Sequence, residues 1–337
     1  MRRTINLLLK STCSKGFIPL LLFCATPVNA KTFKYDFDEF KVGTAEYEKG
    51  PTGCTVFHFP KGADAAIDIR GGAAAVREAS SIEELNTWGY VDAITLAGGS
   101  TFGLDVASGV MAEILKERGG KATFDTIPSV PGAIVYDFAG RDNSIYPDKE
   151  LGSKAFNKAK TNQVEIGRAG AGRFVTVGKY FGRELAQASG QGAAFYQEKG
   201  IKIFGLTVLN AVGNIFNEKG EIIAGSFDKK NEKHLDVAFE LMNGKKSVPP
   251  KTKENTTISI IITNADVSRT DLKRIAVMAH TGMAASIRPF HTPWDGDTLF
   301  VVSTKSVKLP DGMGVIDLGT IGAEIMNQAV RVAVEKN

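Results

Sequence analysis

Short apolar runs alternate with amphipathic stretches along the middle of the chain. Residues 93–97 and 202–209 are rich in aliphatic, aromatic and β-branched side chains and predict buried strands. Residues 98–100 follow the first run and predict a tight turn into a helix that starts at about residue 102. This alternation of strands and helices predicts a layered α/β structure.

The sharpest change in composition lies just before residue 256. Residues 244–255 are polar and rich in lysine, and they include two consecutive prolines, so they predict a solvated loop. The loop stops at Thr256, and residues 256–262 have the high β propensity of a buried strand. A polar tether therefore joins two apolar units, and the second begins with a hydroxyl residue at the foot of a strand.

Two helices are predicted after this strand. Ser268 and Asp271 have the types and the spacing of a helix N-cap, and the helix that they begin is predicted to be terminated by Pro289. A last helix is predicted from about Thr320 to Val334, where apolar residues recur at helical spacing.

The first thirty residues have a different character. A basic segment precedes the apolar run 16–25, which has too few residues to span a bilayer. Val28 and Ala30 then place small residues at the −3 and −1 positions of a signal-peptidase site. We therefore predict an export signal at residues 1–30 and a periplasmic or secreted mature protein. A lipid anchor on Cys24 is the alternative.

The charge balance of the mature chain argues against one class of partner. The whole chain has 41 Lys and Arg, 37 Asp and Glu, and a formal net charge of +4. Four of the basic residues and none of the acidic ones lie in the leader, so the mature chain is close to neutral. We therefore expect no nucleic acid partner. No later segment has the roughly 20 apolar residues of a membrane helix, so we expect no membrane partner once the signal is removed.

Several familiar motifs are incomplete. Lys179 follows a glycine, but Arg173 and Tyr180 stand where a phosphate-binding loop needs Gly and Ser or Thr. The four histidines lack the HExxH spacing, and Cys54 is the one cysteine outside the leader. Neither a zinc site nor an internal disulfide is therefore predicted. We expect no metal and no cofactor.

One pair of carboxylates stands out from the rest of the sequence. Asp295 and Asp297 are separated by a single glycine, near the end of the string IRPFHTPWDGDT at residues 287–298. This spacing suits a metal site, a charge-stabilising pair, or an ordinary polar turn. The spacing alone leaves all three interpretations open.

Seven segments, in order along the chain, resemble one family of hydrolases. Their residues are 70–78, 96–105, 130–133, 170–179, 209–213, 255–257 and 287–298. Together they resemble the DmpA-type L-aminopeptidase/D-esterases, β-peptidyl aminopeptidases and nylon-oligomer endohydrolases, in the branch that uses a threonine nucleophile. The resemblance implies an α/β fold, the four-layered α/β/β/α sandwich of the DmpA/ornithine-acetyltransferase type. It also implies a homo-oligomer of cleaved protomers, which we expect to be a tetramer.

The resemblance implies that the chain cuts itself between Asn255 and Thr256. Thr256 then becomes the first residue of a new chain, and its hydroxyl is the nucleophile while its own α-amine is the base. A large chain, residues 31–255, and a small chain, residues 256–337, together form the hydrolase domain. Glu254 replaces a glycine common in the family, which puts the rate of self-cleavage in question but not its chemistry.

The same resemblance assigns roles to four other side chains. Asp295 and Asp297 match the carboxylates that orient the new N-terminus and support catalysis. Lys179 and Asn210 match positions that line the same pocket. Asn210 is the expected donor to the oxyanion of the tetrahedral intermediate, because its side-chain amide can donate a hydrogen bond there.

The expected reaction is hydrolysis of amide bonds in small peptides, β-peptides or ω-amino-acid oligomers. The backbone amides of Gly98, Gly99 and Ser100 are expected to line the pocket that binds this peptide or oligoamide substrate. Two alternatives stay open. One is an acyltransferase of the ornithine acetyltransferase type, which an export signal disfavours. The other is an inactive secreted binding protein with the same fold.

Overall fold

A computed structural model describes residues 30–246 and 254–335. The predicted export signal, apart from Ala30, lies outside these residues, as do the two prolines of the polar loop before Thr256. Within the described ranges, no helix is long and apolar enough to cross a membrane. Cys54 is buried as a free thiol.

Eighteen strands and five α-helices make up the regular structure of the described residues. The strands are β1 (Lys31–Lys34), β2 (Lys41–Tyr47), β3 (Thr52–Ile69), β4 (Val76–Arg77), β5 (Tyr90–Ala97), β6 (Gly132–Ile134), β7 (Gln163–Ile166), β8 (Thr176–Val177), β9 (Gln187–Ala188), β10 (Gln191–Glu198), β11 (Ile201–Asn210), β12 (Asn214–Phe216), β13 (Ile222–Ala224), β14 (Phe227–Asp228), β15 (Lys233–His234), β16 (Thr256–Ala265), β17 (Ile287–Arg288) and β18 (Thr298–Val307). The helices are α1 (Val106–Glu117), α2 (Lys149–Asn157), α3 (Val237–Met242), α4 (Arg269–Gly282) and α5 (Val315–Val332).

One large sheet contains nine of the strands. Its order is β10-β11-β16-β18-β3-β5-β6-β4, and β2 also pairs with β3. The 18 residues of β3 connect the two halves of this sheet, because its first part pairs with β2 and its last part pairs with β18. The register between β3 and β5 shifts between His58 and Ala63, around Pro60 and Gly62. Such an irregularity bends a strand at the point where the two halves meet.

Four layers follow from the way the faces of this sheet are buried. Side chains from both halves meet in one core, where the rings of Phe57 on β3 and Phe204 on β11 lie 6.4 Å apart. Helices α4 and α5 cover the outer face of β10, β11, β16 and β18. Helices α1 and α2 cover the outer face of β2, β3 and β5. The arrangement confirms the predicted α/β/β/α sandwich.

The predicted strands and the turn after β5 are confirmed, but the first helix starts later than predicted. Gly99 has φ of 77°, a left-handed conformation that glycine adopts without strain and that reverses the chain directly after the strand. Ser100–Asp105 then forms a 3-10 turn, so α1 starts at Val106 rather than at about residue 102. The two kinds of helical turn share a similar apolar spacing, so the pattern alone did not separate them.

The N-cap predicted for α4 is confirmed, but its end is not. The side chains of Ser268 and Asp271 and their two backbone amides form a reciprocal capping box. The helix ends at Gly282, well before Pro289, and a 3-10 turn at Met283–Ala285 follows. The chain leaves the helix early because β17 pairs with β12 before the proline is reached.

The last helix starts earlier than predicted. Its first residue is Val315, five residues before the predicted Thr320. The carboxylate of Asp317 accepts a hydrogen bond from the backbone amide of Gly314 at 2.7 Å. This contact satisfies one of the free amides at the helix N-terminus and fixes the start of α5 there.

Candidate active site

Thr256 begins a central strand of the large sheet. Strand β16 lies between β11, to which it is antiparallel, and β18, to which it is parallel. Thr256 pairs with Asn210 at the end of β11, and only 5% of its surface is exposed. The polar loop therefore ends where predicted, and its last bond enters the core of the sheet.

The hydroxyl of Thr256 lies against the carbonyl group of the preceding residue. Its Oγ1 donates a hydrogen bond to the carbonyl oxygen of Asn255. The same oxygen accepts a second hydrogen bond from the backbone amide of Gly296 at 2.9 Å. A Cβ atom at position 296 would lie 2.9 Å from Thr256 Oγ1, so a glycine is needed for this approach. The hydroxyl of Thr256 and a backbone amide therefore converge on the carbonyl group of one peptide bond.

The side chain of Asn255 is buried, and the loss of its hydrogen bonds to water is not replaced by hydrogen bonds to the described residues. Asn255 is 2% exposed, and neither its Nδ2 nor its Oδ1 makes a hydrogen bond with the described residues. Each such buried polar atom costs about 1–3 kcal/mol. The chain thus holds the Asn255 side chain in an unfavourable environment directly before Thr256.

Asp295 lies beside the same bond, because its backbone forms an isolated bridge with Asn255. Its Oδ1 accepts a hydrogen bond from the Val212 amide at 3.2 Å, and its Oδ2 accepts one from the hydroxyl of Thr292. Burial and, next, the charge of Asp297 raise the pKa of Asp295 to about 7. The carboxyl group of Asp295 is therefore poised to change charge near neutral pH.

Asp297 is fully buried and holds the start of β16 in place. Its Oδ1 accepts a hydrogen bond from the Thr257 amide at 2.8 Å. Its Oδ2 accepts one from the His291 amide at 2.9 Å and lies 3.0 Å from His291 Nδ1. The two aspartates thus hold the residues on either side of Thr256, which an ordinary exposed turn would not do.

Lys179 and Asn210 form a buried pair on the other side of Thr256. Lys179 Nζ donates hydrogen bonds to the backbone oxygen of Asn210 at 2.8 Å and to its Oδ1 at 2.7 Å. Asn210 Nδ2 donates to the carbonyl oxygens of Tyr136 at 3.0 Å and Glu254 at 2.8 Å. Burial lowers the pKa of Lys179 to about 7, although the charge of Asp295 opposes the shift. A neutral amine is therefore accessible at this position.

The amides expected to bind substrate are engaged within the chain. The Gly98 amide donates to the Gly53 carbonyl at 2.9 Å, and the Gly99 amide donates to Asp137 Oδ1 at 2.9 Å. The Ser100 amide donates to a carbonyl at 3.0 Å. These bonds secure the turn after β5, and contact of these residues with substrate stays a prediction.

The five side chains predicted for catalysis therefore meet around one bond, and several neighbours were not anticipated. They are the Gly296 amide, the Tyr136 carbonyl, Thr292, His291 and the ion pair of Arg183 with Glu254. Only the Gly296 amide had a signal in the sequence, which is the position of that glycine between the two aspartates. In residues 30–246 and 254–335, no group of three or more His, Cys, Asp or Glu side chains has an arrangement that could hold a metal ion.

Known proteins are similar to this chain over most of its length. The model of peptidase family S58 matches residues 35–336. A 6-aminohexanoate-oligomer endohydrolase of Kocuria sp. (strain KY2) is 36% identical over 316 residues, which cover 90% of this chain and 86% of that protein. An uncharacterized aminopeptidase of Mycobacterium bovis is 34% identical over 269 residues, which cover 78% of this chain and 76% of that protein.

Solved structures share the fold at lower identity. The L-aminopeptidase D-Ala-esterase/amidase of Ochrobactrum anthropi, a variant of the Ntn hydrolase fold, has a TM-score of 0.64 and 17% identity over 92% of this chain and 86% of that one. The β-aminopeptidase of Burkholderia sp. has a TM-score of 0.62 and 18% identity over 88% of this chain and 84% of that one. The chain therefore belongs to peptidase family S58 and is a hydrolase of peptide or amide bonds.

Proposed function

We propose that the protein activates itself by cutting the bond between Asn255 and Thr256 and then hydrolyses amides with Thr256 as the N-terminal nucleophile. The observation that carries this proposal is the convergence of the Thr256 hydroxyl and the Gly296 amide on the carbonyl group of Asn255. The test is the N-terminal sequence of the small chain, together with the behaviour of a Thr256 variant.

Self-cleavage begins with attack of Thr256 Oγ1 on the carbonyl carbon of Asn255. The Gly296 amide stabilises the oxyanion that forms, since it already donates to that oxygen. The carbon–nitrogen bond then breaks, the nitrogen takes a proton and leaves as an amine, and an ester joins Asn255 to Oγ1. Water hydrolyses the ester to a carboxylate and restores the hydroxyl. Lys179 is the proton acceptor in this proposal, because its hydrogen bonds to Asn210 hold its amine next to the strand partner of Thr256. Burial also lowers the pKa of Lys179.

Amide hydrolysis uses the same hydroxyl with a new base. The α-amine of a free Thr256 has a reference pKa of about 8 and lies within reach of its own hydroxyl. Asp295 and Asp297 orient this amine, because they already hold the residues before and after Thr256. Asn210 Nδ2 donates a hydrogen bond to the carbonyl oxygen of Glu254 before the cut. Once that carbonyl group has left, Asn210 Nδ2 donates to the substrate oxyanion instead.

The substrates proposed are small peptides, β-peptides and ω-amino-acid oligomers. Support comes from relatives named as 6-aminohexanoate-oligomer endohydrolases and aminopeptidases. The partly exposed rings of Tyr180 and Trp294, 6.2 Å apart, flank the site and offer an apolar surface for a methylene chain. Product analysis with aminoacyl p-nitroanilides, β-peptides and 6-aminohexanoate oligomers distinguishes these substrates. Acyl transfer to an added amine would favour the acyltransferase instead.

The pH dependence of the mature enzyme is expected to respond to Asp295. In the wild type, kcat/KM should rise between about pH 7 and 9 as the α-amine of Thr256, the base of this reaction, loses its proton. The charge of Asp295 favours the protonated form of Lys179 and of a nearby amine. Asp295→Asn keeps the shape but removes this charge, so the rising limb should move to lower pH by about 0.5–1 unit. If the rising limb of the pH profile of Asp295→Asn stays at the wild-type pH or moves to higher pH, the charge of Asp295 does not have this effect.

Amide hydrolysis is expected to be independent of metal ions. The proposed mechanism uses Asp297 to hold the Thr257 amide and His291, so its carboxylate needs no cation. Prolonged dialysis against a chelator should leave kcat/KM unchanged. Loss of activity that a divalent ion restores would favour the metal-site interpretation of the aspartate pair.

A further inference from the structure

Glu254 makes two contacts with the active site of the uncut chain. Its backbone carbonyl accepts a hydrogen bond from Asn210 Nδ2 at 2.8 Å. Its side-chain carboxylate forms an ion pair with Arg183, and 16% of that side chain is exposed against 40% for Arg183. Glu254 is thus held at both its carbonyl and its carboxylate.

The first contact occupies a position that the substrate needs. In the proposed function, Asn210 Nδ2 donates a hydrogen bond to the carbonyl oxygen of the substrate as that oxygen becomes an oxyanion. A substrate carbonyl bound there takes the place of the Glu254 carbonyl. Its acyl group then lies where the rest of Glu254 lies, with Arg183 at the far end. Three carbon atoms separate the carbonyl carbon of a glutamate from its carboxylate carbon.

Self-cleavage favours removal of Glu254 and Asn255 from the site. The cut gives Asn255 a new carboxylate in a buried site, beside the backbone of Asp295, and a buried carboxylate without a partner is costly to hold there. The two unpaired polar atoms of the Asn255 side chain also gain water when it leaves. Both effects free Asn210 for the substrate.

Withdrawal of Glu254 leaves Arg183 without its carboxylate. Within the described residues, Glu254 is the one carboxylate that forms an ion pair with Arg183. The remaining contact of its guanidinium is a hydrogen bond to the Ala139 carbonyl at 3.3 Å. A guanidinium binds a carboxylate with directional, charge-assisted hydrogen bonds. The mature site would therefore present an anion-binding group where the Glu254 carboxylate lies in the uncut chain.

We infer that Arg183 binds a carboxylate on the acyl group of the substrate, three carbon atoms from the carbonyl that Thr256 attacks. The acyl groups of this class are an N-terminal glutamyl residue and an N-glutaryl group. The inference rests on the proposed function, because it uses Asn210 as the oxyanion donor. It adds to the proposed amide hydrolysis a preference for one kind of acyl group.

Matched substrates test the inference with the fully cleaved enzyme. Glutamyl and glutaminyl p-nitroanilides form one pair, and N-glutaryl and N-glutaramoyl p-nitroanilides form a second pair without an N-terminal amine. A partly exposed ion pair contributes up to about 1 kcal/mol. In each pair that the enzyme hydrolyses, kcat/KM should therefore be about fivefold higher for the carboxylate substrate than for its uncharged amide. Arg183→Gln should bring this ratio to about one by lowering kcat/KM for the carboxylate member of each pair.

Two further variants separate this role from folding and from self-cleavage. Arg331→Gln is the matched control, because Arg331 forms its ion pairs with Glu218 and Glu324 at α5, and the ratio should stay at the wild-type value. Arg183→Lys keeps a positive charge and should retain part of the preference for the carboxylate substrate. It replaces Arg183→Gln in the test if Arg183→Gln does not cut itself. A wild-type ratio of one in both pairs, or a ratio that Arg183→Gln leaves unchanged, overturns the inference. A cleaved wild type that hydrolyses no amide contradicts the proposed function itself.

Discussion

Thr256→Ala is expected to remain one uncut chain without amidase activity. The substitution removes the hydroxyl that attacks Asn255, and without the cut the α-amine that would act as base stays an amide. The wild type should instead yield a large chain of residues 31–255 and a small chain of residues 256–337 that begins Thr-Thr-Ile-Ser. Denaturing gels, intact mass and N-terminal sequencing measure the cut, and an amide substrate measures the activity.

Two neighbouring variants make this experiment specific. Thr256→Ser keeps a hydroxyl and should retain some self-cleavage and some hydrolysis. Thr257→Val changes the next residue, whose hydroxyl is buried without a hydrogen bond to any described residue, so it should be cut and active like the wild type. A wild-type protein that is fully active as one uncut chain would show that the α-amine is not the base.

Asp297→Ala is expected to fold but to lose most amide hydrolysis, by about 100-fold in kcat/KM. The carboxylate holds the Thr257 amide and His291, so its removal frees the start of β16 and takes a negative charge from the new N-terminus. A loss of about 2.7 kcal/mol is typical when one charge-stabilising group is removed from an active site, and it corresponds to this factor. Steady-state kinetics give kcat/KM, and circular dichroism checks the fold.

The control for this variant is an aspartate of the exposed surface. Asp311 is exposed in the loop after β18, so Asp311→Ala should leave kcat/KM unchanged. Asp297→Asn keeps the size of the side chain and should lose activity as well if the charge matters. Activity of Asp297→Ala within about threefold of the wild type would remove this carboxylate from the mechanism.

Local patterns predicted the elements that depend on local forces. The β propensity of residues 256–262 predicted β16, and the Ser268 and Asp271 pair predicted the start of α4, because a cap is formed within one helical turn. The sandwich itself was predicted from resemblance to a family. The bend of β3 was not predictable from its pattern, because Pro60 and Gly62 in the middle of the strand are typical of a loop.

The candidate site was predictable where side chains carry the chemistry and not where the backbone does. Thr256 and its aspartates were identified because the family motif includes their side chains. The amide of Gly296 and the carbonyl of Tyr136 have no such signature, since every residue has these groups. Arg183 and Glu254 lie 71 positions apart, and only the folded chain shows which of the many acidic residues each arginine contacts.

The central position of β16 has a consequence for the time at which the enzyme becomes active. Its parallel neighbour β18 begins at Thr298, and Gly296 precedes it, so both are synthesised some forty residues after Thr256. A growing or truncated chain that ends before Asp295 therefore has the bond between Asn255 and Thr256 but lacks the amide and the two aspartates that the proposed mechanism uses. Under the proposed mechanism such a chain is an inert zymogen. Under the same mechanism, each molecule releases its nucleophile only after its own β18 has joined the sheet, so no separate activating protease is required.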